Sequence, residues 1–237
     1  MIKVLLGLLA CIILNWLIIS IYCTLYRSYE KKKKKTATTN GALRKDNNPL
    51  KEALVFVFFR VLYGWTRYNV ILVGRIPSYF VRNIIYRYVF KADITRKTNI
   101  AGGCEIRSPW KLHADNCIIM NNCILDARQG IEIGQNVVFG SGVHIWTEEH
   151  SIDDPMFRVL DENKGTVVIG DRAWICSDST ILPGCIIGQG GVLASRACLT
   201  KNVEDYGVYA GVPAKKIAHR CEHLEYKLSG HPGWLFY

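Results

Sequence analysis

Between Ile169 and Leu199 an aliphatic residue falls at 169, 175, 181, 187, 193 and 199, every sixth position without a miss. Four residues after each stands a small or slim side chain: Ala173, Ser179, Cys185, Gly191, Ala197 and Val203. A helix repeats about every 3.6 residues and a strand about every 2, so a period of six fits neither. It predicts a chain that turns a corner every six residues, with one large apolar residue pointing inward per edge. The small residue sits where the corner is crowded. Self-similarity at a fixed period is the mark of a solenoid, in which each coil buries its apolar edge against the next. The same beat appears upstream at Ile100, Ile106, Leu112, Ile118 and Ile124, and after a three-residue slip at Ile133, Phe139 and Ile145. One polar segment between Thr147 and Thr166, EEHSIDDPMFRVLDENKG, carries no beat and is expected as a loop expelled from the scaffold.

Ahead of the repeat the pattern is different. Val4 to Tyr22 is a 19-residue apolar run with one interior asparagine, Asn15, and no charge. At about 1.5 Å rise per residue it just crosses a bilayer core of about 30 Å. Arg27 and the five lysines Lys31 to Lys35 follow it, which places that side in the cytoplasm and makes residues 1–35 a single-pass anchor with a polybasic flank. Residues 36–48 read as a polar linker. Residues 49–90 mix aliphatics and aromatics with isolated arginines, among them Phe56, Arg60, Trp65, Arg67, Tyr79, Arg82 and Tyr88. Amphipathic helices lying at the headgroup level suit this mixture, as does a cap packed on the first coil of the solenoid. The boundaries are then 1–35 for the anchor, 36–97 for linker and interfacial helices, 98–216 for the solenoid, and 217–237 for a short closing helix.

Charge sharpens the division. Residues 1–98 hold 18 Lys/Arg against 4 Asp/Glu, a net of +14, whereas residues 99–237 hold 12 against 16, a net of −4. The basic part is also the apolar, aromatic part, which favours an anionic membrane surface over nucleic acid. The nine cysteines are odd in number and include no CxxC pair, so neither a disulfide framework nor a zinc ribbon is indicated, and a reducing compartment is expected.

The hexads Ile133-Gly134, Ile169-Gly170 and Ile187-Gly188 resemble those of the hexapeptide-repeat acyltransferases, over roughly residues 98–218. That resemblance implies a mainly β fold, a left-handed parallel β-helix with three hexads per triangular coil, assembled as a homotrimer. Its active loop resembles that of the sugar and xenobiotic O-acetyltransferases of the family. On this likeness His150 is the general base that removes a hydroxyl proton, a task for which imidazole titrates in the right range. Either a neighbouring acidic residue or a backbone carbonyl would fix its tautomer. His113, His144 and His150 are spaced wrongly for the three-histidine metal site of γ-class carbonic anhydrases, so no metal is expected.

The same resemblance assigns acceptor contacts to Asn121, Asn122 and Asp126 in NNCILDARQG, with Trp146 and Asp153 beside the base. It assigns the donor groove for acetyl-CoA to Trp174, Ser177, Ala194 and Ser195, and the nucleotide-phosphate end to Thr200, Lys201, Pro213 and Lys215. Arg196 and Cys176 stand where the family commonly has glycine, and Arg220 lies later than the usual basic residue. The function implied is an acetyl-CoA-dependent O-acetyltransferase at the bacterial inner membrane. It acts on a sugar hydroxyl of a lipid-linked or polymeric glycan. A soluble-substrate acetyltransferase acting on an antibiotic or metabolite, an N-acetyltransferase, and a non-catalytic scaffold are the alternatives.

Overall fold

The computed structural model describes residues 2–38 and 49–229. Three helices precede the solenoid: α1 (Ile2–Thr38), α2 (Pro49–Gly74) and α3 (Tyr79–Tyr88). From Asp93 onward short strands stack in parallel on three faces of a left-handed triangular β-helix. The first face carries residues 93–94, 112–114, 131–133, 167–169 and 186–187. The second carries 99–100, 118–119, 138–139, 174–175, 192–193 and 207–210, and the third 105–107, 124–126, 144–145, 180–181 and 198–199.

The six-residue beat is the reason for this shape. Ile169, Ile175, Ile181, Ile187, Leu193 and Leu199 are all buried along the axis, and so are the small residues four places after each. Upstream the expected register needs correcting. Ile119 and Leu125 point inward, while Ile118 and Ile124 stay half-exposed. Ile100 pairs with Ile119 and Ile119 with Phe139, so these coils run nineteen and twenty residues. Ile175 pairs with Leu193, eighteen residues on, in the later ones. The extra residues are taken up at the corners, one of them Asn116 with φ 43°, and the slip is spread over several turns.

Glycines of the Ile-Gly hexads sit where one coil touches the next. A Cβ on Gly170 would lie 2.8 Å from the amide nitrogen of Gln189 and 2.9 Å from the carbonyl carbon of Gly188. Backbone cannot rotate away as a side chain can. Gly170→Ala is therefore expected to force two coils apart at a cost of about 1–3 kcal/mol, read as a lowered thermal midpoint with unchanged secondary-structure content by circular dichroism.

A solenoid needs both ends closed, because an open coil exposes apolar edges and unpaired carbonyls. At the N-terminal end α3 does this. Its N-cap Ser78 accepts from the Val81 amide. Its buried Arg82 donates to the Ile100 carbonyl at 2.9 and 3.2 Å and to that of Ile76. Asn83 donates to the Thr98 carbonyl at 2.5 Å. At the other end the expected C-terminal helix is absent from residues 217–229. Lys215–His219 instead folds back as an antiparallel strand on 207–210, satisfying the open edge of the last coil. The chain then runs back along the corner between the first and second faces. There Tyr226 donates its hydroxyl to the Arg172 carbonyl at 2.9 Å, and the Leu228 amide donates to Asn136 Oδ1 at 2.9 Å. A helix would have consumed the backbone groups that make this strap. Residues 230–237 lie outside the described residues.

The apolar run 4–22 forms part of the 37-residue helix α1, and Val4–Lys32 is long and apolar enough to cross a membrane by length and composition. Its surroundings divide it. Residues 4–14 are exposed on every side, whereas Ile19, Tyr22 and Cys23 are buried against the rest of the protein. α2 runs antiparallel beside α1. Asn15, the interior asparagine of the run, donates to Asn69 Oδ1 at 2.9 Å and accepts from Trp65 Nε1 at 2.7 Å. Side-chain amides join helices well in apolar surroundings, where water does not compete. α2 in turn docks on the third face through Arg67, which donates to Glu105 at 2.9 Å. Burial would raise the Glu105 carboxyl, but hydrogen bonds from Arg107 and Arg67 outweigh it and hold it below the usual range. The outward sides of α1 and α2 expose Leu17, Ile21, Phe56, Phe58, Val61 and Trp65.

Candidate active site

The loop expected to carry the chemistry leaves the third face at Thr147. This residue is fully buried. Its hydroxyl donates to the Asp126 carbonyl at 2.6 Å and accepts from the Gln129 amide at 2.9 Å. The two arms of the loop then zip together. Gly165 N–H donates to the Thr147 carbonyl at 3.0 Å, Glu149 N–H to that of Asn163 at 3.0 Å, and Glu148 bridges Lys164 in antiparallel fashion. A neck built this way gives a rigid base to a segment that otherwise lacks a core.

Just past the neck His150 is exposed and held on two sides. Its Nδ1 lies 2.6 Å from the Phe157 carbonyl oxygen, and its ring stacks on that of Phe157 at 4.3 Å with an interplanar angle of 1°. A carbonyl oxygen can only accept, so Nδ1 carries the hydrogen and the lone pair of the neutral imidazole is on Nε2. The ring is thereby oriented with a basic nitrogen facing outward. The backbone carbonyl is the partner that orients it.

Phe157 holds φ 50°, a conformation that a bulky residue adopts only under constraint. The constraint is Asp154. Its carboxylate receives Arg158 Nε at 2.8 Å, Arg158 Nη2 at 2.9 Å and the Arg158 amide at 2.7 Å, and its side chain is 3% exposed. The neighbouring Asp153, expected beside the base, is exposed and takes no part in these bonds. The Arg158 hydrogen bonds hold the Asp154 carboxyl below its ordinary range. A lowered carboxylate pKa favours the ordered loop above the ordinary range near 4, and the contribution disappears as pH falls through the lowered value. Asp154→Ala should therefore speed tryptic cleavage after Arg158 at pH 7 and lower turnover about tenfold, with the global melting temperature unmoved.

Asp126 sits at the foot of the loop, fully buried. Arg128 donates to it at 2.8 and 3.0 Å and also pairs with Glu148, while Arg107 lies 3.8 Å away. The arginine keeps its proton more firmly because of this carboxylate. Asp126 is thus committed inside the protein and is not presented to an acceptor. Trp146 lies beside the same cluster, with the Arg107 guanidinium 5.0 Å over its ring. Asn121 and Asn122 stand elsewhere, on the corner between the second and third faces. Asn121 donates to the Gly102 carbonyl at 3.3 Å, and Asn122 holds φ 59°.

That corner also gathers Ser177, Ala194 and Ser195, the residues expected to line the donor groove. Asp178 N–H donates to Ser141 and Arg196 N–H to Ser177, each one coil on, so Asn121, Ser177 and Ser195 form one ladder. Ala194 joins it, its amide donating to the Tyr209 carbonyl at 2.8 Å, and Trp174 projects half-exposed from the adjoining second face. Arg196 holds φ 59° and Asp178 φ 58°, a conformation that explains the family's preference for glycine here. Burial raises the Cys176 thiol beside Ser195. Thr200 and Lys201 lie exposed on a different corner, between the third and first faces, where the loop also emerges. Pro213 and Lys215 flank Ala214, whose amide donates to the Cys198 carbonyl at 2.8 Å.

One chain therefore brings Ser177, Ala194 and Ser195 together, and separately sets His150 on another corner. His113 and His144 are on different faces, the first paired with Asp93 at 3.2 Å and the second packed edge-on to Trp146. Among the described residues no three ligating side chains gather. Phe157, Thr147 and Arg158 are the supporting residues that the motif left unmarked.

No family model matches the chain. Over 154 residues it is 45% identical to a probable macrolide acetyltransferase of Lysinibacillus sphaericus, covering 64% of this chain and 76% of that protein. The chain belongs to the hexapeptide-repeat acetyltransferases. Other acetyltransferases match over shorter stretches or at lower identity. A chloramphenicol acetyltransferase of Klebsiella aerogenes is 42% identical over 79 residues, which is 32% of this chain and 38% of that one. The chain thus spans little more than a third of that relative's length. The putative colanic acid biosynthesis acetyltransferase WcaF of Escherichia coli is 28% identical over 146 residues, 59% of this chain and 79% of that protein. Among solved structures, a maltose O-acetyltransferase of Clostridium difficile 630 superposes with a TM-score of 0.58 at 26% identity, covering 68% and 89% of the two chains. A hexapeptide-repeat acetyltransferase of Vibrio cholerae complexed with acetyl-CoA shares the fold at 20% identity and TM-score 0.60, covering 77% and 96%.

Proposed function

We propose that this hexapeptide-repeat acetyltransferase moves the acetyl group of acetyl-CoA to a sugar hydroxyl of a lipid-linked or polymeric glycan at the inner membrane of a bacterium. The observation that carries the reading is the bond from His150 Nδ1 to the Phe157 carbonyl, which leaves a lone pair on Nε2 in a braced loop. Nε2 takes the proton of the acceptor hydroxyl as its oxygen attacks the thioester carbonyl carbon. The tetrahedral oxyanion collapses, the C–S bond breaks, and the coenzyme A thiolate leaves with the proton returned from the imidazolium. Backbone N–H groups along the groove would stabilise the oxyanion. Because the donor ladder and the loop occupy different corners of one chain, the complete cleft is assigned to the contact between copies of a homotrimer.

The membrane location rests on α1 and on the basic balance of residues 1–98, with the catalytic solenoid on the cytoplasmic side. A glycan acceptor is supported by the likeness to WcaF and to the maltose O-acetyltransferase. The 45% identity to the macrolide acetyltransferase favours a second reading, a small xenobiotic acceptor. Incubating the full chain in detergent with labelled acetyl-CoA separates the two. Lipid-extracted glycan fractions are offered against a macrolide and chloramphenicol, and the product position is read by NMR. Label in the glycan fraction supports the first reading; label only in the drug removes it.

A further inference from the structure

Between the α1–α2 hairpin and the foot of the catalytic loop lies a cleft of about 580 Å³. One end opens among Phe56, Phe59 and Tyr63 of α2, and Phe56 belongs to the outward face where Phe58 and Val61 are also exposed. The other end reaches Arg128 and Glu148 at the root of the loop, two residues short of His150. Four guanidinium or ammonium groups, on Arg60, Arg67, Lys111 and Arg128, line it against two carboxylates, Glu30 and Glu148. Most of these cations already have partners: Arg67 with Glu105, Lys111 with Glu30, Arg128 with Asp126 and Glu148. Arg60 differs: it pairs with no carboxylate among the described residues, and its guanidinium lies 5.4 Å over the Phe56 ring.

A second, independent feature marks the same cleft. Tyr22 lines it, is 2% exposed, and its hydroxyl has no hydrogen-bond partner among the described residues. A buried polar group is costly unless something bonds to it, and a phenol can donate to an anionic oxygen.

We infer that this cleft receives the phosphate-bearing head of a lipid-linked acceptor, with Arg60 and the Tyr22 hydroxyl on the phosphate and the lipid chain along the exposed apolar side of the hairpin. The inference rests on the acetyltransferase reading above and specifies how its acceptor arrives. An amphiphile held so would point the sugar beyond the phosphate toward the loop. Substrate would then be drawn from the membrane plane and not from solution, which also gives the hairpin a reason to bind the solenoid at the foot of the loop.

The test uses the full chain in phosphatidylcholine nanodiscs and three probes: farnesyl diphosphate, inorganic pyrophosphate and farnesol. Farnesyl diphosphate should bind at least tenfold more tightly than either fragment. Arg60→Gln should weaken it about tenfold, as loss of a charge-assisted hydrogen bond does, and Tyr22→Phe several-fold. Acetyl-CoA affinity should stay unchanged in both variants. Tyr22→Phe removes an oxygen without an internal partner and should melt no lower than wild type, so weaker binding there is not misfolding. Pyrophosphate binding as tightly as farnesyl diphosphate would overturn the inference. So would equal displacement of the probe by phosphatidylglycerol in the disc, or unchanged affinity in both variants. Binding of acetyl-CoA without any of the probes would remove the cleft and leave the reaction standing. Probe binding through Arg60 in a chain that acetylates nothing would uphold the cleft and remove the reaction.

Discussion

Replacing His150 by alanine should lower the rate of acetyl transfer by about 100- to 10,000-fold, the range that general-base catalysis supplies, while the Michaelis constant for acetyl-CoA barely moves. The split follows from where the residue stands. His150 is just past the neck of the loop, which leaves the corner between the third and first faces. The ladder of Ser177, Ala194 and Ser195 is on the corner between the second and third. In the proposed cleft the imidazole meets the acceptor hydroxyl while that ladder, from a neighbouring copy, holds the coenzyme, so donor affinity is expected to survive loss of the imidazole. Folding should not depend on it either, because the ring is exposed and bonds only within the loop. His150→Gln makes the case sharper. A glutamine amide can still donate to the Phe157 carbonyl, yet it offers no basic nitrogen on the far side. If glutamine restored more than a few per cent of turnover, the residue would be a positioning group and the base would lie elsewhere. A parallel fall in acetyl-CoA affinity would place the imidazole in the donor groove instead.

How much of this was legible beforehand depended on which physical rule each residue obeyed. The six-residue beat is a packing rule, and from Ile169 to Leu199 it marked every inward position. It misled only where two neighbouring residues are both aliphatic. Ile118-Ile119 and Ile124-Leu125 each offer two candidates for one inward place. The choice is made by corner lengths that hydrophobicity does not report. The tail misled for a related reason. The apolar residues Leu224, Tyr226 and Leu228 suggested a short helix, but they alternate at a period of two, and Asn116, Asn136 and Arg172 along the corner bond to the backbone of Tyr226 and Leu228. His150 was marked by its loop. Its orienting partner was not, because any residue supplies a carbonyl and only the fold of the loop brings that of Phe157 to Nδ1. The acceptor motif was the least legible stretch. It joined Asn121 and Asn122, which share a corner with Ser177 and Ser195, to Asp126, whose charge is spent inside the protein.

Asp126 yields the other large expected effect, and on stability. Its carboxylate is fully buried with Arg128 bonded at 2.8 and 3.0 Å and Arg107 at 3.8 Å. Asp126→Ala leaves two guanidinium groups beside an apolar gap, with Glu148 and Glu105 as their remaining partners. Removing one member of a buried pair costs about 3–5 kcal/mol, chiefly through the uncompensated charge left behind. For a chain of this size that is a fall in melting temperature on the order of 10 °C. The loop foot loosens as well, because Arg128 ties Glu148 to this carboxylate and Thr147 hangs on the Asp126 backbone. Turnover should therefore fall together with stability, whatever acceptor is offered. An acceptor contact would behave in the opposite way, raising the Michaelis constant for one acceptor and leaving the melting curve in place. Asp126→Asn distinguishes the charge from the shape. It keeps two polar atoms in the same pocket, so a loss nearly as large as that of alanine would assign the effect to the missing charge, and a loss under about 1 kcal/mol to hydrogen bonding alone.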